Sequence, residues 1–269
     1  MLHNLLNSID FLYIHWNPNP EIFNIGGFGV RWYGLLFASG FFFGYIIMQR
    51  IFNQEQISQK VLDRLSIYML IGTVLGARLG HCLFYEPEYY LSNPIEIFNI
   101  RQGGLASHGA AIGIILALWF FVKKEKRPFS WILDRIVIVV ALAGGLIRIG
   151  NLINSEIYGA PTTLPWAFIF EQVDQIPRHP SQIYEALMCF LLFAFLLWLY
   201  FKRNAASKPY FLFGIFLVVC FGFRFFVEFI KDVQVAFENE MILNMGQWLS
   251  IPFVVFGSIL IYRSLKRIK

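Results

Sequence analysis

The sequence is poor in charged residues. Only 14% of its 269 residues are Asp, Glu, Lys or Arg, whereas a soluble domain carries about 25%. Hydrophobic residues make up 57% and aromatic residues 18% of the chain, and apolar runs of about 20 residues recur along nearly all of it. The composition excludes an ordinary soluble domain and predicts one integral membrane domain over 1–269.

Cysteine is scarce as well. Cys82, Cys189 and Cys220 each lie inside an apolar run, without the spacing typical of metal or redox sites. We therefore expect packing roles for them, with no metal and no organic cofactor. The segment from Met1 to Trp16 lacks the basic region and small-residue cleavage site of a signal peptide, so the first span is expected to direct insertion.

Seven apolar runs are near the length that a hydrocarbon core of about 30 Å requires. They predict an all-α, polytopic protein with seven transmembrane helices, at approximately 32–50, 65–86, 105–122, 131–150, 182–201, 209–230 and 246–262. No internal repeat of the kind common in transporters is evident.

The basic residues between the spans are strongly one-sided. One set of connections has only Arg31, Arg101, Arg178 and Lys231. The other set has fourteen, namely Arg50, Lys60, Arg64, Lys123, Lys124, Lys126, Arg127, Lys202, Arg203, Lys208, Arg263, Lys266, Arg267 and Lys269. Because Lys and Arg stay cytoplasmic, this bias predicts an N-terminus outside and a C-terminus in the cytosol. The net charge of +5 is thus a signal of topology, and no nucleic-acid partner is inferred from it.

The outer connections are longer and rich in Pro, Asn and aromatic residues. Aromatic residues are dense in 1–31 and in 87–104, which is typical of arm segments that lie in the membrane interface.

Arg148 ends the fourth apolar run and is followed by Asn151, Asn154 and Glu156. A guanidinium at membrane depth costs about 2.5 kcal/mol or more, so it requires a wet cavity or a counter-charge. A functional role for Arg148 is the favoured interpretation. The alternative is a structural arginine paired with a carboxylate on a neighbouring span.

The other intramembrane polar residues fall in the same outer layer once the topology is assigned. These residues are Tyr33, Arg78, His108, Gln182, Glu185, Arg224, Glu228 and Gln247. Asp134 and Arg135 lie near the cytoplasmic end and are interpreted as an interfacial anchor. The shared depth predicts a single functional cavity in the outer leaflet half.

Three arginines, one histidine and two glutamates in one cavity suit a phosphate-bearing ligand, because guanidinium forks match phosphate oxygens. A phospholipid headgroup is the obvious candidate. Arg224 and Glu228 share a helix face, so mutual neutralisation without a ligand stays an alternative. His108, between glycine clusters, is assigned a proton-handling or phosphate-contact role, with a packing role as its alternative.

An ordered set of motifs resembles the bacterial prolipoprotein diacylglyceryl transferases and covers nearly all of the chain past residue 22. The matching stretches are 31–34 (RWYG), 77–80 (ARLG), 103–109 (GGLASHG), 148–156 (RIGNLINSE), 178–185 (RHPSQIYE), 223–229 (FRFFVEF) and 245–252 (MGQWLSIP). The chain departs from the usual family pattern at Ala110, Ile147 and Cys220, which affects the expected cavity shape and leaves the two arginines unchanged.

The resemblance implies an enzyme of the bacterial inner membrane. It would transfer the diacylglyceryl group of phosphatidylglycerol to the lipobox cysteine of preprolipoproteins, releasing glycerol phosphate, as the first step of lipoprotein maturation. It also implies that 151–181 forms a small periplasmic head. The implied catalytic residues are His108, Arg148, Arg224, Tyr33, Asn151 and Glu156, and the implied phosphatidylglycerol-binding residues are Arg148, Arg224, Arg78, Glu228 and Gln247.

Two other classes of membrane protein were weighed. A transporter of phosphate headgroups would need a polar path in the cytoplasmic half and would favour an inverted repeat. A purely structural subunit would not need three arginines and a histidine at one depth. Both fit the sequence less well than the transferase.

Overall fold

The computed structural model describes residues 13–26, 28–99, 104–232 and 241–266. Within them, seven helices are long and apolar enough to cross a membrane, which confirms the seven predicted spans. They are α1 (Trp32–Gln54), α2 (Gln59–Phe84), α4 (Ser107–Glu125), α5 (Phe129–Ile153), α6 (Ser181–Arg203), α7 (Phe211–Val227) and α8 (Met245–Lys266). A short helix, α3 (Pro87–Ser92), and a 3₁₀ helix (Pro94–Phe98) follow α2.

The chain divides into two compact units. The first comprises Met1–Gly44 and Asp134–Lys269, and the second comprises Tyr45–Leu133. Many large apolar side chains on the long helices are exposed, as expected for helices whose outer surfaces face lipid. The predicted arms at 1–31 and 87–104 are described only in part, since 1–12, 27 and 100–103 lie outside the described residues.

The first unit also contains short strands, which the prediction of an all-α chain did not include. Strand β1 (Ile14–Trp16) pairs in parallel with β4 (Phe168–Phe170), and β4 pairs antiparallel with β5 (Pro177–Arg178). A separate hairpin joins β2 (Glu21–Ile25) to β3 (Phe28–Arg31). Strands of two to five residues are too short to produce a clear alternating pattern in the sequence.

A small aromatic core holds the three-stranded sheet on the end of α5. Leu152, Phe168 and Phe170 are buried there, and the partly buried Trp16 packs against them. The Trp16 indole also donates a hydrogen bond to the Leu152 carbonyl, at 2.8 Å. The segment 151–181, predicted as a head, is therefore tied both to the helix that carries Arg148 and to the strand that precedes α1.

Backbone pairing continues beyond β5 toward the end of α7. Pro161 bridges antiparallel to Arg178, and Gly159 bridges antiparallel to Lys231. The Ala160 N–H donates to the Ile230 carbonyl at 2.8 Å. A Cβ at Gly159 would lie 2.6 Å from that carbonyl oxygen, so only glycine allows this approach. We call the run of paired segments from β1 to Lys231 the head ladder.

In the second unit, α2 and α4 meet backbone to backbone. Gly72, Gly76 and Gly80 on α2 face Gly109 and Gly113 on α4, and a Cβ at Gly76 would lie 2.4 Å from the Gly109 carbonyl oxygen. Small residues at such crossings are how membrane helices pack without a hydrophobic driving force. A groove of about 480 Å³ runs along this crossing and is lined mainly by glycines and apolar side chains.

Asp134 is not an exposed interfacial residue, which corrects its interpretation as an anchor. Its side chain is buried and accepts hydrogen bonds from the backbone N–H groups of Tyr210 and Phe213, at 2.7 and 2.9 Å. These donors lie at the start of α7, where a helix leaves N–H groups without partners. The carboxylate of α5 therefore caps α7, and Arg135 beside it is also buried.

Candidate active site

Arg148 lies on the penultimate turn of α5 and has a counter-charge on α6. Its Nε is 2.9 Å from Glu185 Oε2, and one Nη donates to Asn151 Oδ1 at 3.3 Å. The Arg148 side chain is 22% exposed, whereas that of Glu185 is 6% exposed. The pairing that the structural alternative required is thus present, and the Arg148 side chain stays partly exposed.

The turn after α5 fixes Glu156 beside Asn151. Glu156 Oε1 accepts hydrogen bonds from the side-chain amides of Asn151 (2.7 Å) and Asn154 (3.3 Å). Ser155 and Ile157 have positive φ angles of 54° and 58°, a conformation that costs energy for residues other than glycine and often marks functional sites. This backbone turns the Glu156 carboxylate back toward the end of α5.

Tyr33 lies on the first turn of α1 and packs against the backbone of α5. A Cβ at Gly150 would be 2.8 Å from Tyr33 Cδ2, so the ring needs a glycine at this position. The structure thus places Tyr33 against Gly150 of α5, two residues from Arg148 in the sequence, while Arg148, Asn151 and Glu156 are joined by hydrogen bonds.

The predicted pair at the end of α7 is present. Arg224 Nε lies 3.5 Å from Glu228 Oε1, and the Arg224 side chain is 43% exposed while that of Glu228 is 10% exposed. The ion pair within α7 that the sequence suggested is therefore present, and it involves Arg224 through its Nε atom. The exposed remainder of the guanidinium is available for an anion.

Lys231 connects the two arginine pairs, and sequence reasoning missed it as a site residue. Its side chain is 5% exposed, with Nζ 2.9 Å from Glu185 Oε1 and 3.3 Å from Glu228 Oε1. The spacing of Glu228 and Lys231, three residues apart, was the available signal. Because the helix ends between them, nothing in the sequence indicated that Lys231 would reach Glu185.

The result is a continuous chain of charges. It runs Arg148, Glu185, Lys231, Glu228, Arg224, with every link at 3.5 Å or less. We call these five side chains the charge chain. Its three cations and two anions leave one excess positive charge. Its three middle members are largely buried and the two arginines at its ends are partly exposed, which favours binding of an anion by the guanidinium groups.

Gln247 supports Glu228 indirectly. Asn244 Nδ2 donates to Glu228 Oε2 at 3.2 Å, and Asn244 and Gln247 exchange backbone and side-chain hydrogen bonds at 2.9 and 3.0 Å. Gln247 Nε2 donates to the Phe225 carbonyl at 3.3 Å. Gly246 leaves room for the carboxylate, since a Cβ there would be 2.5 Å from Glu228 Cδ. Direct contact between Gln247 and a lipid stays a prediction.

Arg78 and His108 belong to the second unit and are described within it. Arg78 is 4% exposed and donates to the backbone carbonyls of Glu96, Ile97, Asn99 and Gly104, at 2.6 to 3.3 Å. Its guanidinium thus holds the segment after α3, and its contact with phosphatidylglycerol stays a prediction. His108 is exposed on the first turn of α4.

The head carries its own ionic cluster, outside the spans. Arg178 Nη2 lies 2.7 Å from Asp174 Oδ2, and Arg178 Nη1 lies 2.7 Å from Asp232 Oδ2. The hydrogen bond from Arg178 lowers the pKa of Asp174, and burial lowers the pKa of His179.

Among the residues that the structure describes, no three His, Cys, Asp or Glu side chains are grouped to hold a metal ion.

The sequence is similar to one family of known proteins. A family model described as prolipoprotein diacylglyceryl transferase matches residues 20–263. A phosphatidylglycerol–prolipoprotein diacylglyceryl transferase of Tolumonas auensis is 48% identical over 254 residues, which cover 94% of this chain and 98% of the relative. Proteins of the same name from Chloroherpeton thalassium and Bacteroides fragilis are 45% and 46% identical, each covering 95% of this chain.

Proposed function

The chain belongs to the prolipoprotein diacylglyceryl transferase family, and we infer from this that it is a membrane transferase that moves the diacylglyceryl group of phosphatidylglycerol onto the cysteine thiol of prolipoproteins. The observation that carries the assignment to this site is the charge chain with Arg148 and Arg224 as its two partly exposed ends. A phospholipid phosphate is the anion that such a pair of guanidinium groups would recognise in a membrane.

In the proposed reaction, the thiolate sulfur attacks the diacylglyceryl carbon that is bonded to the phosphate oxygen. The new C–S bond is a thioether. The C–O bond breaks, and its electron pair leaves with glycerol phosphate. Arg148 and Arg224 stabilise the negative charge that grows on the leaving phosphate without themselves titrating. A thiol has an ordinary pKa of about 8.5, so its deprotonation requires a base or cationic surroundings.

The remaining residues are assigned supporting roles. Asn151 fixes Glu156 by its hydrogen bond and contacts Arg148, so these two residues set the orientation of the Arg148 fork. Glu228 with Gln247 and Asn244 sets the orientation of Arg224. We assign His108 and Tyr33 to the proton transfers or to the phosphate, and Arg78 to ordering the segment after α3.

The location of the reaction follows from topology. With seven spans and basic connections on one side, the N-terminus and 151–181 are assigned to the outside and the C-terminus to the cytosol. The ends of α5 and α7 and the starts of α1, α6 and α8, which carry the site residues of the first unit, then lie in the outer leaflet half. The expected peptide substrate carries a lipobox cysteine.

Reconstitution tests the proposal. Purified protein is mixed with phosphatidylglycerol labelled in its headgroup and with a lipobox peptide, and released glycerol phosphate and peptide mass are measured. We expect equal molar amounts of glycerol phosphate and of peptide that has gained one diacylglyceryl group, and neither product with a Cys→Ser peptide. Binding of labelled lipid without either product would overturn the transferase and favour a lipid-binding protein.

A further inference from the structure

The head ladder ends on a residue of the charge chain. Gly159 bridges to Lys231 and Ala160 donates to Ile230, so the backbone that carries Lys231 is bonded to the head. The Lys231 side chain then lies between Glu185 and Glu228. A change in the position of this backbone would change both contacts, and with them the counter-charges of Arg148 and Arg224.

Arg178 reinforces this junction with side-chain contacts. Its guanidinium joins Asp174 in the head to Asp232, the residue after Lys231, with both N–O distances at 2.7 Å. It also stacks over the Tyr158 ring at 4.9 Å, and its side chain is only 9% exposed. The planar guanidinium of Arg178 therefore contacts three partners at once, and it fixes their positions far better than an ammonium group would.

We propose that Arg178 and Asp232 are positioning residues for the lipid phosphate site, which act by holding Lys231 between the carboxylates of Glu185 and Glu228. Lys231 forms ion pairs with both glutamates. Because each glutamate is shared in this way, Arg148 and Arg224 retain N–H groups for phosphate. Without Lys231, three cations against two anions would become two against two, and each arginine would be drawn fully onto its own glutamate. The inference rests on the proposed function, because the phosphate is the ligand whose binding it explains.

The test is a double-mutant cycle between Asp232→Asn and Lys231→Met, assayed with phosphatidylglycerol in detergent micelles. Asp232→Asn should raise the KM for phosphatidylglycerol roughly tenfold, which corresponds to about 1.4 kcal/mol, because Arg178 then no longer holds the backbone of Lys231 in place. The KM for the peptide should stay within about twofold. In the Lys231→Met background, Asp232→Asn should have no further effect.

Three further variants separate positioning from general weakening of the head. Glu171→Gln removes the charge from the His15–Glu171 contact at the other end of the head ladder, where the N–O distance is 2.9 Å, and should leave the KM for phosphatidylglycerol unchanged. Arg178→Lys should raise that KM as Asp232→Asn does, and Asp232→Glu should partly restore it. Thermal unfolding in detergent identifies any variant that fails to fold. If either Asp232→Asn or Arg178→Lys fails to fold, the KM of the other one decides the test.

An unchanged KM for phosphatidylglycerol in both Asp232→Asn and Arg178→Lys would overturn the inference. So would an equal effect of Asp232→Asn with and without Lys231. Failure of the proposed function gives a different result, because the unmodified protein would then release no glycerol phosphate at all.

Discussion

Arg148 and Glu185 form an ion pair between α5 and α6, with Nε and Oε2 2.9 Å apart and only the arginine side partly exposed. The pair meets the requirement that a buried guanidinium have a counter-charge, and it leaves N–H groups for a ligand. A structural and a catalytic role are therefore compatible at this residue, and the choice of substitution separates them.

Arg148→Lys keeps the positive charge and tests whether the planar guanidinium group is needed. An ammonium can hold Glu185 but cannot make paired contacts to phosphate oxygens. We expect kcat/KM for phosphatidylglycerol to fall at least about a hundredfold, consistent with loss of one stabilising donor in a transition state, at normal protein levels. Arg203→Lys, at the opposite end of α6 from Glu185, is the matched control and should be neutral. Undiminished turnover and lipid affinity would make Arg148 a structural counter-charge.

Gly246→Ala tests the space around Glu228. The added Cβ would fall 2.5 Å from Glu228 Cδ, so the carboxylate must move away from Arg224 or Lys231. Activity should fall roughly tenfold or more, since small displacements of positioning groups cost catalysis heavily. Gly222→Ala, where a Cβ has no heavy atom within 4 Å, should be close to normal. Equal activity of the two variants would show that the position of Glu228 is unimportant.

His108→Gln tests the exposed histidine on α4. If His108 handles protons or contacts phosphate, turnover should fall about a hundredfold, within the range for a lost general acid or base, while protein level in the membrane is kept. Initial rates against peptide concentration at several pH values give the measurement. Near-normal rates would return His108 to a packing role.

The orientation in the membrane is tested by cysteine labelling. A single cysteine placed in the 123–127 loop should resist a membrane-impermeant reagent in intact spheroplasts, whereas one placed at the exposed Val173 of the head should react. The background has the three native cysteines replaced, after activity is confirmed. Labelling of the 123–127 cysteine would reverse the assigned topology.

The head should lose stability in acid through Asp174. Its pKa is lowered in the folded protein by Arg178, so its contribution is present above the unfolded value of about 3.9 and is lost as the pH falls through the folded value. Asp174→Asn should therefore unfold at a lower temperature than the parent at pH 7, and the difference should shrink toward pH 3. A difference independent of pH would indicate that the charge is not involved.

The sequence by itself determined the membrane class and the seven spans, and its resemblance to a family predicted the residues that bind a lipid phosphate. Hydropathy is a local property, and the length of a spanning helix is set by bilayer thickness, so both can be read along the chain. The motifs around Arg148 and Arg224 are also local, so they could be recognised along the chain, whereas only the fold shows that seven of the nine predicted site residues fall in one unit.

Only the tertiary structure decided which charges pair. Lys231 looked like one more outer cation, yet the turn after α7 and the bridge to Gly159 place it between two glutamates. Arg78 was predicted from the sequence as a phosphate-binding residue, and only the structure shows that its guanidinium donates to the backbone carbonyls of Glu96, Ile97, Asn99 and Gly104. Such pairings depend on how each helix is rotated and where it stops, and those are set by packing between elements far apart in the sequence.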